Sequence, residues 1–368
     1  MFALRAVQAE FGDCLIVEFG SAGNRRYVLV DGGPPGTYAA HLQPELQGIT
    51  AAGGRVELAV LSHVDNDHVV GLLDLLTQLR DQRANNRPET IAVEGLWHNS
   101  FALAIDPTGD IAPRLRTLLA TAGPQTMGQT GIAVAGIGEG DKLRQDALAL
   151  GLPLNQGFAG GLVCVDDAPA PVTLDNLTLR VVGPTRANLN ELQTKWRDWL
   201  DEHEDAVGAG DPLVAAMADR SVPNLSSIML LAVADQKRLL LTGDGRGDHL
   251  LAGLREAGVL AANGTIHIDV LKVAHHGSDR NATRGFFRTV TADTYVVSAN
   301  GMYGNPDLAT LIWIVEDAKE QGRAIELVLT NPTPSSAKLV EEYPPAEYGY
   351  RLRTMASGEN SIVVELSQ

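Results

Sequence analysis

Short apolar runs broken by turn residues open the chain: FALRAV, CLIVEF and RYVLVD, with GSAGN between the second and third. Runs of this kind bounded by Gly and Asn predict strands. The third stops abruptly at DGGPPGTY, and YAAHLQPELQGI then has helical spacing. VELAVLS follows as a near-continuous apolar run, the pattern of a strand buried on both faces. It breaks at SHVDNDH, after which VVGLLDLLTQLR resumes with helical spacing and a cationic end. TIAVEGLWHN predicts a further strand.

The pattern changes between about residues 100 and 172, where Gly, Ala, Thr and Pro are frequent and helical pieces stand at APRLRTLLATA and GDKLRQDALALG. This stretch reads as an insertion or lid on one domain spanning 1–368, not as a second core. VTLDNLTLRVVGPT returns to strand with a turn at DN, and ANLNELQTKWRDWLDEHEDA predicts a helix. SSIMLLAVADQKRLLLTGD predicts a hairpin turning at ADQK, followed by helix HLLAGLREAG and strand HIDVLKVA, which ends in HHGSDRNAT. Strand TYVVSAN, helix DLATLIWIVEDAKEQG and strand ENSIVVELS complete the pattern. Strands alternating with helices place the chain in the α/β class.

Composition narrows the function classes. Hydrophobic residues make up 45% of the 368, yet no stretch approaches the roughly 20 uninterrupted apolar residues of a membrane span. The start MFALRAVQAEFGDCL lacks a basic segment, apolar run and cleavage site in that order. Together with two distant cysteines, Cys14 and Cys164, this sets the expectation of a cytoplasmic protein without disulfides. A net charge of −16 disfavours broad binding to long nucleic acid, although bound divalent cations would still admit a phosphodiester substrate.

Three polar signals each stand just past the end of an apolar strand: His63–His68, Asp244 in LLLTGDGRGDH, and His275-His276 in VAHHGSD. In α/β sheets, sites form at the carboxyl ends of strands, so these segments can converge. On an extended loop His63, Asp65 and Asp67 point to one side. His68 opens the next helix and can turn back to the same point. Imidazole nitrogen and carboxylate oxygen suit Zn, Mn, Fe or Ni. A lone Asp244 would read as an ordinary turn or helix cap, but beside the first cluster it reads as a carboxylate that bridges two metals. On an extended segment His275 and His276 point opposite ways, so one is the ligand and the other orients substrate or donates a proton. Gly277 allows close backbone approach, and Ser278 offers a hydroxyl to substrate. His98 follows a strand and can face the site. Trp196 and Trp199, like His41, His203, His249 and His267, read as packing or surface residues.

LVDGG, SHVDNDHVVG, LLTGD and LKVAHHGS in this order resemble the metallo-β-lactamase fold, and more narrowly the stand-alone hydrolases similar to the metallo-β-lactamase domain of ComEC, the DNA-uptake channel protein. FGDCLIVEFG, WHNSF, VVGPT and the last strand extend the likeness over most of the chain. The resemblance implies an αββα sandwich, two mixed sheets flanked by helices, holding two divalent ions, Zn²⁺ or Mn²⁺. It implies His63 and Asp65 on the first ion, Asp67 and His68 on the second, Asp244 between them, and one of His275 and His276 completing the second. His275 is taken as the ligand and His276, with Asp67, as catalytic. Asp31 in VDGG becomes a carboxylate that steadies a ligand. The chain departs from the family's His-x-His-x-Asp-His pattern by placing Asp65 at the middle His. Before Asp244 it offers Asn224, Ser226 and Ser227 in place of a further His, and Asn224 is assigned to substrate. It also has Asn305 where the branch often shows His before Pro.

The resulting expectation is a two-metal phosphodiesterase or nuclease acting on a nucleic acid, a short oligonucleotide or a small phosphodiester through a hydroxide held between the ions. The alternatives are hydrolysis of a lactone, thioester or small ester, and a metal-stabilised module of a larger defence or signalling complex that docks through the insertion.

Overall fold

The three opening runs form β1 (Phe2–Val7), β2 (Leu15–Ser21) and β3 (Asn24–Val30), paired antiparallel in sequence. The structure is a computed structural model that describes residues 1–21, 23–114, 129–158, 161–168, 170–203 and 226–367. A short helix (Tyr38–Leu42) leads into α1 (Gln43–Ala51), so YAAHLQPELQGI is helical as its spacing predicts. VELAVLS becomes β4 (Arg55–Leu61), parallel to β3, and α2 (Asn66–Ala84) follows its polar end. β5 is only Leu96–His98, parallel to β4. The rest of the predicted strand TIAVEGLWHN adds a single bridge, Val56 to Val93.

Beyond β5 lie α3 (Phe101–Ala104) and α4 (Gln129–Ala149), then the hairpin β6 (Val172–Leu174) and β7 (Leu177–Gly183), turning at Asp175 with φ 54°. α5 (Arg186–His203) precedes a second hairpin, β8 (Met229–Ala234) and β9 (Lys237–Leu241). Asp235 and Gln236 both have positive φ there, the backbone of a two-residue turn matched to strand twist. α6 (Gly247–Glu256), β10 (Ile266–Lys272), α7 (Arg284–Thr289), β11 (Val290–Val297), α8 (Leu308–Glu320), β12 (Ile325–Leu329), α9 (Pro334–Glu342), α10 (Pro345–Tyr348), β13 (Tyr350–Thr354) and β14 (Ser361–Ser367) follow. The sequence pattern misses α7, β12, α9, α10 and β13. β12 is a five-residue run and β13, YRLRT, is a largely polar edge strand, both too short to stand out from their flanks.

Among the described residues the strands form two mixed sheets, a six-stranded one ordered β14-β1-β2-β3-β4-β5 and an eight-stranded one ordered β13-β12-β11-β10-β9-β8-β7-β6. One apolar cluster joins their facing sides: Leu4, Val17 and Val60 from the first meet Leu179, Leu230, Leu241 and Val296 from the second. Two more pack each outer face against helices. Val56, Ala59 and Leu61 of β4 pack with Leu46 of α1 and Leu72 and Leu76 of α2. Ile268 and Leu271 pack with Leu250, Leu254, Leu311 and Ile314 on the other side. β4 thus buries alternate residues in two cores, which explains its near-continuous apolar composition. At roughly 1.5–3 kcal/mol per large aliphatic side chain, burial on both faces holds its carboxyl end firmly.

Part of the stretch read as an insertion is described. α4 lies along α2, tied by the buried Asp146, which accepts from Thr77 Oγ1 at 2.8 Å and Lys142 Nζ at 3.1 Å and pairs with Arg80. Phe101, Ile105, Leu162, Leu189 and Trp196 make a separate small cluster. Most of APRLRTLLATA, the last residues of the helix read after residue 186, and Asn224 lie outside the described residues. No described helix is long and apolar enough to cross a membrane.

Candidate metal centre

Parallel strands end together, and the polar segments that interrupt them meet at one edge. Asp31 follows β3, Ser62 and His63 follow β4, Asp244 follows β9, and His275 and His276 follow β10. Asp65 occupies the N-cap position of α2 with an extended backbone, yet its carboxylate makes no capping bond. It lies 3.6 Å from His63 Nε2. Asp244 is buried without capping α6, whose N-cap is Arg246. Gly243, at φ 48°, leaves no room for a side chain, since a Cβ there would meet Ser62 Cβ at 3.0 Å.

All four histidines turn Nε2 toward the Asp244 carboxylate. His68 Nε2 is 3.3 Å from Oδ1, while Oδ2 lies 3.8 Å from His63, 3.7 Å from His275 and 3.6 Å from His276. Asp67 Oδ2 is 3.4 Å from His276 Nε2. Asp67, His68, Asp244 and His276 each offer one ligand atom, all within 4.8 Å of one another. The structure thus places His276, rather than His275, in the tightest group. His275 stands slightly further out, its side chain 11% exposed against 4% for His276. The segment is not extended: His275 and His276 have φ 49° and 55°, and two consecutive left-handed residues turn both rings to the same side.

Each ring is held from behind through Nδ1. His68 Nδ1 donates to Asp31 Oδ2 at 2.9 Å. Ser62 donates to Asp31 through both its backbone N and Oγ at 2.7 Å, so its Oγ is left to accept from His63 Nδ1 at 3.0 Å. Asp31 therefore steadies two rings. His276 Nδ1 donates to the Ser298 carbonyl at 3.0 Å, and His275 Nδ1 to Asn281 Oδ1 at 2.5 Å. A second carboxylate, Asp13, lies with Oδ1 3.4 Å from His276 Nδ1 and Oδ2 2.5 Å from Lys272 Nζ. Asp13 and Lys272 are both fully buried. Sequence reasoning missed Asp13, Ser62, Lys272, Asn281 and Ser298. Lys272 had a readable signal, because a lysine inside an apolar strand demands a buried partner.

The electrostatics follow from this crowding. Burial disfavours the charged form of every group here, but the neighbours outweigh it. Asp244, Asp31 and Asp67 hold the His68 imidazolium well above its usual range, and Asp244 and Asp13 raise His276 to about 10. The histidines in turn hold Asp244 well below the ordinary carboxylate value and lower Asp67. His63 Nε2, His68 Nε2, His276 Nε2 and Asp244 Oδ1 are buried with no hydrogen-bond partner among the described residues. Buried polar atoms left open toward one point, with their other faces locked, are the donor set of a divalent cation. The residues fit the group.

The other predicted residues sit differently. Ser278 is buried, and its Oγ accepts from Arg280 N at 3.4 Å. His98 ends β5 opposite Leu61 and is enclosed where Gly140 of α4 passes, a Cβ on Gly140 falling 3.4 Å from its Nε2. Burial, aided by Arg144, pulls His98 down to about 4, and the Gly140 backbone offsets only part of this. A folded-state value below 6.5 means that protonation opposes folding, so this stability is complete above pH 6.5 and is lost as pH falls through 4. His98→Gln is expected to flatten the acid limb of stability over that window, read as urea midpoints at descending pH. An acid limb as steep as wild type would show that His98 is not its source.

Residues 7–138 match the model of the metallo-beta-lactamase superfamily. With two mixed sheets between helices, the architecture agrees. The chain has the metallo-β-lactamase fold. Solved structures similar to it include the metallo-β-lactamase fold protein YhfI from Bacillus subtilis, at 10% identity and TM-score 0.40 over 99% of both chains. Zn²⁺-bound PqqB from Methylobacterium extorquens is 10% identical, at TM-score 0.37 over 99% of this chain and 100% of that one. A diphosphatase from the PhnP family is 11% identical, at TM-score 0.39 over 99% and 98%. No curated protein matches significantly. The superfamily match contains Asp13, Asp31 and His63–His68, while Asp244, His275 and His276 lie beyond its end. The two sets come together because Asp31 and His63–His68 follow the parallel strands β3 and β4 of one sheet, and Asp244 and the histidine pair follow the parallel strands β9 and β10 of the facing one.

Proposed function

We propose that the chain is a metal-dependent hydrolase of the ComEC-like kind whose substrate is a phosphodiester, either a short oligonucleotide or a smaller molecule. One observation carries the reading: four imidazoles with locked Nδ1 atoms present Nε2 to the two oxygens of one buried carboxylate, Asp244. A carboxylate addressed from both sides suits a pair of cations. Asp67, His68, Asp244 and His276 would hold one divalent ion, and His63, Asp65 and Asp244 a second. Oxygen-rich ligation at the second favours Mn²⁺ over Zn²⁺. When bound, such ions supply Lewis acidity and make water acidic near neutral pH.

The chain's own groups do the rest. Asp31 and Ser62 keep His63 and His68 in one tautomer, and Ser298 and Asp13 do the same for His276. Asp67, at the edge of the group, orients the attacking water. His275 is the more accessible of the histidine pair, and its Nδ1 proton is fixed on Asn281. Its Nε2, when protonated, is placed to deliver a proton to the departing alkoxide. The acidic surface favours short substrates over long duplexes.

The test begins with metal content and stoichiometry of protein purified without added metal, followed by cleavage of bis-p-nitrophenyl phosphate and of a dinucleotide with Mn²⁺ and Zn²⁺ in turn. Two ions per chain and metal-dependent cleavage are expected. His275→Ala should slow the dinucleotide by about 10²-fold or more. It should slow the nitrophenyl diester far less, since nitrophenolate leaves without a proton. No cleavage of either diester under either metal would sink the reading, and turnover of p-nitrophenyl acetate alone would transfer it to ester hydrolysis.

A further inference from the structure

The turn that follows the histidine pair carries hydrogen-bond donors that the chain itself leaves unused. It is tied firmly to both halves of the metal centre. Ser278 N donates to the His275 carbonyl at 2.9 Å. Asn281 accepts from His275 Nδ1 at 2.5 Å, donates through Nδ2 to the Asp244 carbonyl at 2.8 Å, and offers its own carbonyl to Gly247 N at 2.6 Å. Thr283 then caps α7, its Oγ1 accepting from Phe286 N at 3.3 Å. The backbone between Ser278 and Asn281 is therefore placed by the same bonds that place His275 and Asp244.

Two side chains on this turn lack an acceptor. Ser278 is 5% exposed, and its Oγ accepts a long bond, 3.4 Å, from Arg280 N. Among the described residues nothing accepts from its hydroxyl. Arg280 is exposed, and its guanidinium makes no hydrogen bond or ion pair among the described residues. Carboxylates stand close by. Asp279 precedes it in the chain, and Asp307 reaches the same turn, its Oδ2 accepting from Asp279 N at 2.9 Å. Other arginines around the centre are captured by such groups. Arg246 is closed off by Asp248 at 3.0 and 2.7 Å, and Arg284 and Arg288 are held by Asp317 at 2.8 and 3.1 Å. An exposed arginine alone is ordinary. One that forms no ion pair with the carboxylates beside it, on a turn whose buried hydroxyl also lacks an acceptor, completes a donor pair for an outside anion. The guanidinium fork matches phosphate with two parallel bonds.

We propose that this turn binds a second phosphate of the substrate through the Arg280 guanidinium and the Ser278 hydroxyl, so that the substrate carries a phosphate beyond the one that is cleaved. This rests on the phosphodiester reading above. The test measures KM and kcat of the Mn²⁺-loaded chain on a thymidine dinucleotide without a terminal phosphate, with one at the 5′ end, and with one at the 3′ end. One of the two phosphorylated forms should have a KM lower by about ten-fold or more, at similar kcat. Arg280→Ala should erase that preference. Arg280→Lys should keep part of it, since the charge remains without the fork. Ser278→Ala should reduce it, and unchanged melting temperatures would exclude misfolding. Equal KM for all three dinucleotides in the wild type, or a preference that survives either alanine substitution in full, would overturn the second-phosphate site while leaving the phosphodiester reading intact. Cleavage of none of the three would overturn both.

Discussion

Asp244→Asn is expected to strip the chain of bound metal and to lower phosphodiester turnover by about a thousand-fold or more, the scale on which removing a group that organises transition-state charge acts. Asparagine keeps the shape of the side chain and removes its charge. The change is large because Asp244 is the meeting point of the whole centre: Nε2 of His63, His68, His275 and His276 all address its oxygens. Loss of any one histidine would leave three partners in place, whereas loss of the carboxylate leaves four imidazoles without their shared counter-charge. The measurement is metal per chain by mass spectrometry, with kcat on the dinucleotide and a melting curve in chelator to separate chemistry from folding. Two ions per chain and turnover within ten-fold of wild type would refute the central role of Asp244.

Lys272→Met is expected to be the most destabilising change outside the apolar cores. It leaves the Asp13 carboxylate fully buried without its ammonium partner, 2.5 Å away in the native chain. Breaking a buried pair from one side costs about 3–5 kcal/mol. That is a large share of the roughly 5–15 kcal/mol that a domain has in total. Replacing both members should recover most of this, because a well-packed apolar pair avoids the burial of charge altogether. In Asp13→Leu/Lys272→Met the denaturant midpoint should therefore return toward wild type. Metal affinity should stay down by about 10–100-fold, since His276 then lacks the carboxylate 3.4 Å from its Nδ1. If Lys272→Met unfolds at the wild-type midpoint, or the double variant binds metal normally, the pair has no such dual role.

The elements legible along the chain were those whose pattern is local. The strand before SHVDNDH, the DN and ADQK turns and the helices of spacing 3.6 are all written in the spacing of residues near in sequence. His63, Asp65, Asp67 and His68 were readable for the same reason, because one loop and one helix start carry them all. Asp244 and the His275-His276 pair were readable as interruptions of apolar strands. Their division of labour was not, because it depends on a backbone pair at φ 49° and 55° that no side-chain pattern announces. β12, β13 and, apart from Asp31, the network behind the rings were also silent, for they acquire meaning only from partners elsewhere.

The sequence by itself thus determined the α/β class, the positions where strands stop and the cluster of metal-capable side chains at those stops, since each is encoded in the alternation and spacing of neighbouring residues. Only the tertiary structure decided that Asp13 and Lys272, 259 positions apart, form one buried pair. It also decided that Asp31 and Ser62 lock two imidazoles, and that Asp244 is addressed by four. The two sheets must pack face to face before these groups share one largely buried space. Only there do charge and proton position become strong enough to organise a site.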